Sequence, residues 1–185
     1  MNAKQIAYNA IAYNAIHTHG AIQKEGELVR LIELVSERNP SIIVEIGCYR
    51  GGMLYVWQQL AEQIYGIDSG KGYYNEVPYL NTHGAMVILA SSHLKSTKDR
   101  LTELLPNLCD ILFIDGDHSE NGVKQDVKMY LPFIRQGGLL VMHDIIDVEI
   151  QKGPSTVWNE LEGNKLEIIE KPLTWGGIGI MEVGK

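Results

Sequence analysis

Residues 42–52 read IIVEIGCYRGG. The first five are β-branched apart from Glu45, which suits a strand buried on both faces. The glycines that follow, in an E-x-G-x-x-x-G arrangement of Glu45, Gly47 and Gly51, lead into a helical pattern over residues 52–62. Glycine lets a backbone turn sharply and approach a ligand with no Cβ in the way. The helix start beyond it offers unpaired N–H groups. A dinucleotide fingerprint would be G-x-G-x-x-G, which this is not. The loop alone is also compatible with a tight strand-to-helix turn that binds nothing.

Working outward, the same alternation repeats. Apolar strand-like runs fall at 63–67 (QIYGI), 86–89 (MVIL), 110–114 (DILFI) and 139–142 (LLVM), with two more at 165–170 and 177–182. Helical spacing appears between them at 26–37, 95–105, 120–135 and 155–162. In 120–135, Pro132 should tighten the last turns, and Gly137-Gly138 should stop the helix. The short loop from Lys171 to Gly176 fits an antiparallel final pair. Alternating strands and helices predict an α/β fold with a mostly parallel sheet covered on both faces. Ligands then bind at the carboxyl ends of the strands, near the point where strand order reverses.

Asp68 stands at such an end, 21 residues after Gly47. An acid about 20 residues beyond the glycine loop can accept the hydroxyls of a ribose. The stretch FIDGDHS, residues 113–119, breaks an apolar run into two carboxylates and an imidazole. His143-Asp144 follow the next run. Sequential strands are often neighbours, so Asp115, His143 and Asp144 are expected to converge at one rim. Carboxylates packed there raise one another's pKa unless a cation intervenes. His118, with an ordinary pKa near 6.5, suits a general base at neutral pH. Asp117 reads as its partner or as a plain turn residue.

E-x-G-x-x-x-G with a strand-end Asp, then FIDGDHS…LPFIRQGGLLVMHD, resembles the class I S-adenosylmethionine-dependent methyltransferases, and most of all the small metal-assisted O-methyltransferases. The resemblance covers roughly residues 26–182. It implies a Rossmann-like three-layer sandwich whose seven-stranded sheet has its last strand antiparallel. It implies S-adenosylmethionine held by Glu45, Gly47, Gly51, Asp68, Ser91 and Asp115, with Asp115 and His118 at the chemistry. The stretch around Ser91 (ILASSH) departs from the commoner Gly-Asp-Ser form. A divalent metal, magnesium or manganese, is implied at Asp115, His143 and Asp144. The family carries an acidic pair where this chain has His143-Asp144, so iron or zinc would suit the site as well. Residues 1–25, with IAYNA twice in tandem, are expected to form a helical cap or lid on a single methyltransferase domain of residues 26–185.

Composition narrows the partners. The formal charge of −7 disfavours a nucleic-acid partner and an anionic membrane surface. No run reaches the ~18 apolar residues of a membrane span. Cys48 and Cys109 form no C-x-x-C, which with the absence of a signal peptide reads as a reduced, cytoplasmic protein. The expected partner is a small-molecule acceptor, its hydroxyl on a sugar, a natural product or a catechol-like ring. The short chain leaves room for a homodimer that completes the acceptor pocket. Two alternatives stay open: a metal-independent methyltransferase of the same fold, and a non-catalytic nucleoside-cofactor-binding module. His17 and His19 do not share a helix face. Trp175 reads first as core or turn packing, with stacking on an acceptor as the alternative; Tyr49 and Arg50 stand in the glycine loop and Lys71, Tyr73 and Tyr74 follow Asp68, but spacing alone assigns none of them to a ligand.

Overall fold

In the computed structural model, residues 2–71, 80–146, 152–172 and 174–184 are described. The strand β1 (Ile42–Ile46) is buried along its whole length. Ile42, Val44 and Ile46 pack into one apolar cluster and Ile43 into the other, as the two-residue period of a strand requires. The other strands are β2 (Gln63–Asp68), β3 (Met86–Leu89), β4 (Cys109–Ile114), β5 (Ile134–His143), β6 (Lys165–Ile168) and β7 (Ile178–Glu182). They form one sheet in the order β3-β2-β1-β4-β5-β7-β6. β7 lies antiparallel to both β5 and β6, and the other pairs are parallel.

Helices α1 (Ala3–His17), α2 (Glu25–Arg38) and α3 (Gly52–Gln58) cover one face of the sheet. α4 (Lys95–Leu104), α5 (Glu120–Tyr130) and α6 (Lys152–Glu160) cover the other, giving three layers. α2 buries the stripe Leu28, Leu31, Ile32 and Val35. It ends on Asn39 at φ 47°, a left-handed cap that asparagine tolerates, just before Pro40. α5 starts on Ser119, whose hydroxyl accepts the Gly122 N–H at 3.1 Å, an N-cap bond. α1 packs beneath through Ala12 and Ala15, and Tyr8 Oη shares a 2.6 Å hydrogen bond with Ser36 Oγ of α2.

Several boundaries differ from the sequence reading: α3 ends at Gln58 and not at 62, α6 runs from Lys152 to Glu160, and β6 ends at Ile168; the difference with a clear cause is in α5. The helix expected over 120–135 stops at Tyr130, and Leu131–Phe133 form a single 3-10 turn containing Pro132. Proline lacks the N–H that would continue the helix. β5 therefore begins at Ile134, and Gly137-Gly138 end no helix. They fall where the register of β4 against β5 shifts. Gly137 has φ +75° and its N–H reaches Val183 O at 2.8 Å. No helix among the described residues is long and apolar enough to cross a membrane.

The strands enter the sheet through Asp110. Its Oδ2 accepts the N–H groups of Ser41 and Ile42 at 2.8 Å each, and its Oδ1 accepts Arg135 Nε at 2.6 Å. Burial pushes this carboxyl up, but those hydrogen bonds and the Arg135 charge outweigh it and leave the pKa below the ordinary value. A depressed pKa contributes stability above the unfolded value, roughly 3.9, and loses it as pH falls through the folded value. Asp110→Ala is expected to cost about 2–3 kcal/mol in urea unfolding at pH 7. The gap from the native chain should narrow as pH falls below roughly 3.9; a gap that is constant with pH would contradict this role.

Candidate active site

Strand order reverses between β1 and β4, so their following loops part and open a crevice. The two chains touch as they part. Asp115 N–H donates to Ile46 O at 2.8 Å, and Gly47 N–H donates to Ile67 O at 2.9 Å. A Cβ on Gly47, which sits at φ +89°, would lie 2.1 Å from Asp115 O. Only glycine fits there. Gly51, also at φ +89°, is pressed against Asn81 O in the same way.

The loop between these glycines is held by Asp68. Its Oδ2 accepts the N–H groups of Cys48 and Tyr49 at 2.8 Å each, and its Oδ1 accepts Gly70 N–H at 2.6 Å. A carboxylate has about four acceptor positions, so capacity remains for a ligand hydroxyl. Gly47, Asp68, Ser91 and Asp115 line one cavity of about 370 Å³, together with Lys71 and His93. That volume lies within the range of small-ligand sites. Tyr73 and Tyr74 lie outside the described residues.

Glu45 is placed differently. It is 1% exposed and accepts Trp57 Nε1 at 2.9 Å. Burial, with Asp115 nearby, raises its carboxyl well above the usual range. It borders a second, smaller cavity with Gln23, Asp115, His143 and Asp144. Gly51 borders neither cavity.

Asp115, His118, His143 and Asp144 do converge. His118 Nε2 lies 3.3 Å from Asp115 Oδ1, and His118 Nδ1 lies 3.6 Å from Asp144 Oδ2. His143 Nδ1 lies 3.4 Å from Asp115 Oδ1 and 3.5 Å from Asp144 Oδ2, in ion-pairing range of both. Burial would raise the Asp115 carboxyl, but the His143 charge and the two imidazole contacts hold it at about 2. Burial would lower His143, but Asp115 and Asp144 lift it to about 10. One ligand atom each from Asp115, His118 and Asp144 lie within 4.8 Å of one another.

The cluster is braced by groups beyond those the sequence reading singled out. Asp144 sits at φ +56°, and its Oδ1 accepts Gly176 N–H from the turn before β7 at 3.0 Å. Glu27 of α2, 1% exposed, accepts the N–H groups of Glu170 and Gly177 at 2.9 Å each. A charge four residues before Leu31 and eight before Val35 stands on the apolar stripe, and that was the available signal. Gln23 Nε2 donates to Asp115 Oδ2 at 2.9 Å; nothing in its own neighbourhood of sequence announces it. Asp126 of α5 is fully buried, 3.3 Å from His93 Nε2, and burial raises it to about 6. Among the weaker candidates, His17 packs on Tyr13 and His19 on Tyr55. Trp175 lies on the surface beside Lys24, and Arg50 lies over Tyr49.

A family described as a methyltransferase domain matches residues 44–145. Protein R132 of Acanthamoeba polyphaga mimivirus is 32% identical over 124 residues, covering 60% of this chain and 54% of the viral protein. MycE, a methyltransferase from the mycinamycin biosynthetic pathway solved with Mg, SAH and mycinamycin VI, aligns with a TM-score of 0.66 at 16% identity, over 96% of this chain and 53% of MycE. The chain thus spans about half the length of both. The O-methyltransferase from Bacillus cereus, in complex with SAH, aligns at 0.60 with 12% identity, over 98% of this chain and 91% of that one.

Asp68→Ala leaves the N–H groups of Cys48 and Tyr49 without their acceptor. Unfolding in urea should show a loss of about 2–3 kcal/mol. Unchanged stability would mean that the carboxylate does not brace the loop.

Proposed function

The chain belongs to the methyltransferase-domain family, and from that premise we propose that it moves a methyl group from S-adenosylmethionine to a hydroxyl of a small-molecule acceptor, with a divalent cation assisting. The observation that carries this reading is Asp115. It lines the cavity of about 370 Å³ and belongs to the carboxylate–imidazole cluster beside it. A nucleoside held by Asp68 and the glycine loop would have its sulfur end turned toward that cluster.

The donor set fits a divalent ion, because oxygen and imidazole donors are grouped closely enough to share one. Asp115 and Asp144 would hold it, and His143 would join them only by giving up the proton that its pKa of about 10 keeps on it; the two carboxylates favour magnesium or manganese. When bound, such an ion supplies positive charge that lowers the pKa of an adjacent hydroxyl. His118 takes up the acceptor's proton. As a neutral base it donates one ring N–H to a neighbouring carboxylate, Asp115 Oδ1 at Nε2 or Asp144 Oδ2 at Nδ1, and keeps the lone pair of the other nitrogen for the proton. Asp144, fixed by Gly176, keeps that imidazole and His143 in place. Methyl transfer from a sulfonium needs alignment more than activation, so no covalent intermediate on the protein is invoked.

Residues 1–25 serve as the cap of the acceptor side, since Gly20, Ala21, Ile22 and Gln23 border the second cavity. A small acceptor fits the charge of −7, which repels a phosphate backbone. MycE, with its mycinamycin VI, supports a natural-product hydroxyl as the kind of acceptor. A second reading, without metal, is favoured by one feature: His143 already compensates Asp115 and Asp144.

Titration with manganese, read by electron paramagnetic resonance, together with SAH calorimetry separates these readings. The native chain should bind both ligands. Asp144→Ala should lose manganese affinity by about tenfold or more while keeping its SAH affinity. Manganese binding that Asp144→Ala leaves intact would remove the metal from the proposal, and a native chain that fails to bind SAH would remove the cofactor. In turnover of a hydroxyl acceptor, His118→Asn should reduce kcat by about 10²- to 10⁴-fold with SAH affinity preserved.

A further inference from the structure

The tandem IAYNA repeat is the sequence feature that the mechanism above leaves unused. Five residues on an α-helix advance about 140° beyond a full turn, so its two copies in α1 face different ways. Tyr8 of the first copy and Ile11 of the second turn inward, onto Ser36 and the apolar cluster beneath. Ile6 of the first copy and Tyr13 of the second turn outward and are 57% and 54% exposed. Ala3, Ala7 and Ala10 are exposed on the same outer face. A helix that is apolar all round belongs between two packing surfaces. Among the described residues only the inner side of α1 is covered.

The outer face suits its own copy. Laid antiparallel about a two-fold axis at Ala10, two such helices set Tyr13 of each opposite Ala7 of the other, large against small. Tyr13 is already backed by the ring of His17, with centroids 4.3 Å apart, so little of its freedom is left to lose on contact. Alanine at the axis lets the two helices approach closely. Charge points the same way. The chain carries −7, so most approaches of two copies bring acid against acid. α1 contains no acidic residue, and Lys4 is its only lysine or arginine. Antiparallel pairing sets Lys4, near the positive end of one helix dipole, beside the negative end of the other. α1 has 15 residues and is about 22 Å long, too short to bury the ~1,600 Å² of a standard stable interface. The pairing is therefore weak and reversible.

We propose that the outer face of α1 is a dimer interface, occupied by α1 of a second copy of this chain running antiparallel about Ala10. The inference goes beyond methyl transfer and does not rest on it. It bears on the site through the cap. Ala21 N–H bonds Ala15 O at 2.9 Å, so the segment that borders the second cavity is anchored to the end of the paired helix.

Sedimentation equilibrium of the native chain from about 10 µM to about 1 mM tests this. The average mass should rise from one copy toward two. Ala10→Glu and Ala10→Lys each place a good helix former at an exposed helical position, so both should keep the native circular dichroism and melting. Each alone opposes like charges at the axis and should weaken association by about tenfold or more. An equimolar mixture of the two should associate again, because the axis then pairs Glu with Lys. A native chain that stays monomeric throughout, an Ala10→Glu variant that associates as the native chain does, or a mixture that does not recover would each overturn the proposal. Flotation with neutral phosphatidylcholine vesicles covers the other occupant. A chain that is monomeric in solution and floats, but loses flotation in Tyr13→Glu, would overturn the dimer in favour of a lipid surface.

Discussion

The crowded approach of Gly47 to Asp115 is the constraint on which the site depends. Backbone meets backbone there because neither a side chain nor a water-filled gap separates the ends of β1 and β4. Close contact brings two loops of different chemistry to one point. The loop after β1 offers N–H groups and open backbone, braced from below by Asp68. The loop after β4 offers carboxylates and an imidazole. Moved apart by a methyl group, the two halves would no longer share Asp115.

Long-range carboxylates perform a second kind of work. Glu27 ties α2 to the chain before β7, and Gly176 in that same chain ties down Asp144. The N–H groups of Ile145 and Ile146 return to Gly177 O and Gly176 O at 3.3 and 3.1 Å. The antiparallel strand at the end of the fold is thus what holds Asp144 in a left-handed conformation that an aspartate visits only with local support. Placement of one acid at the chemistry is in this sense a property of three distant segments.

What could be seen in the chain follows from how local its causes are. β1 was legible to the residue, because burial on both faces leaves a β-branched run with glycine after it. Asp115, His118, His143 and Asp144 were legible as a cluster, since neighbouring strands end together. The end of α5 was misplaced because Pro132 and the glycine pair compete as stop signals, and the proline acts first. Asp68 was readable as an acid facing the crevice, but its grip on the Cys48 and Tyr49 amides was not, because the partners are backbone atoms that carry no sequence mark. Glu45 was read with the glycine loop, and it does border the smaller cavity with that loop, while the bond its carboxyl accepts from Trp57 Nε1 was not foreseen. Gln23 was invisible: its partner lies 92 residues away.

The account's central claim is that one crevice, divided by Asp115, holds the nucleoside on one side and a cation on the other. The direct measurement is a crystal structure of the chain grown with SAH and manganese, with anomalous data collected at the manganese edge. The account predicts a single strong anomalous peak in contact with the carboxylates of Asp115 and Asp144, and adenosine density against Gly47 and Asp68. A manganese peak elsewhere with that cluster empty, or SAH bound away from the glycine loop, would contradict it.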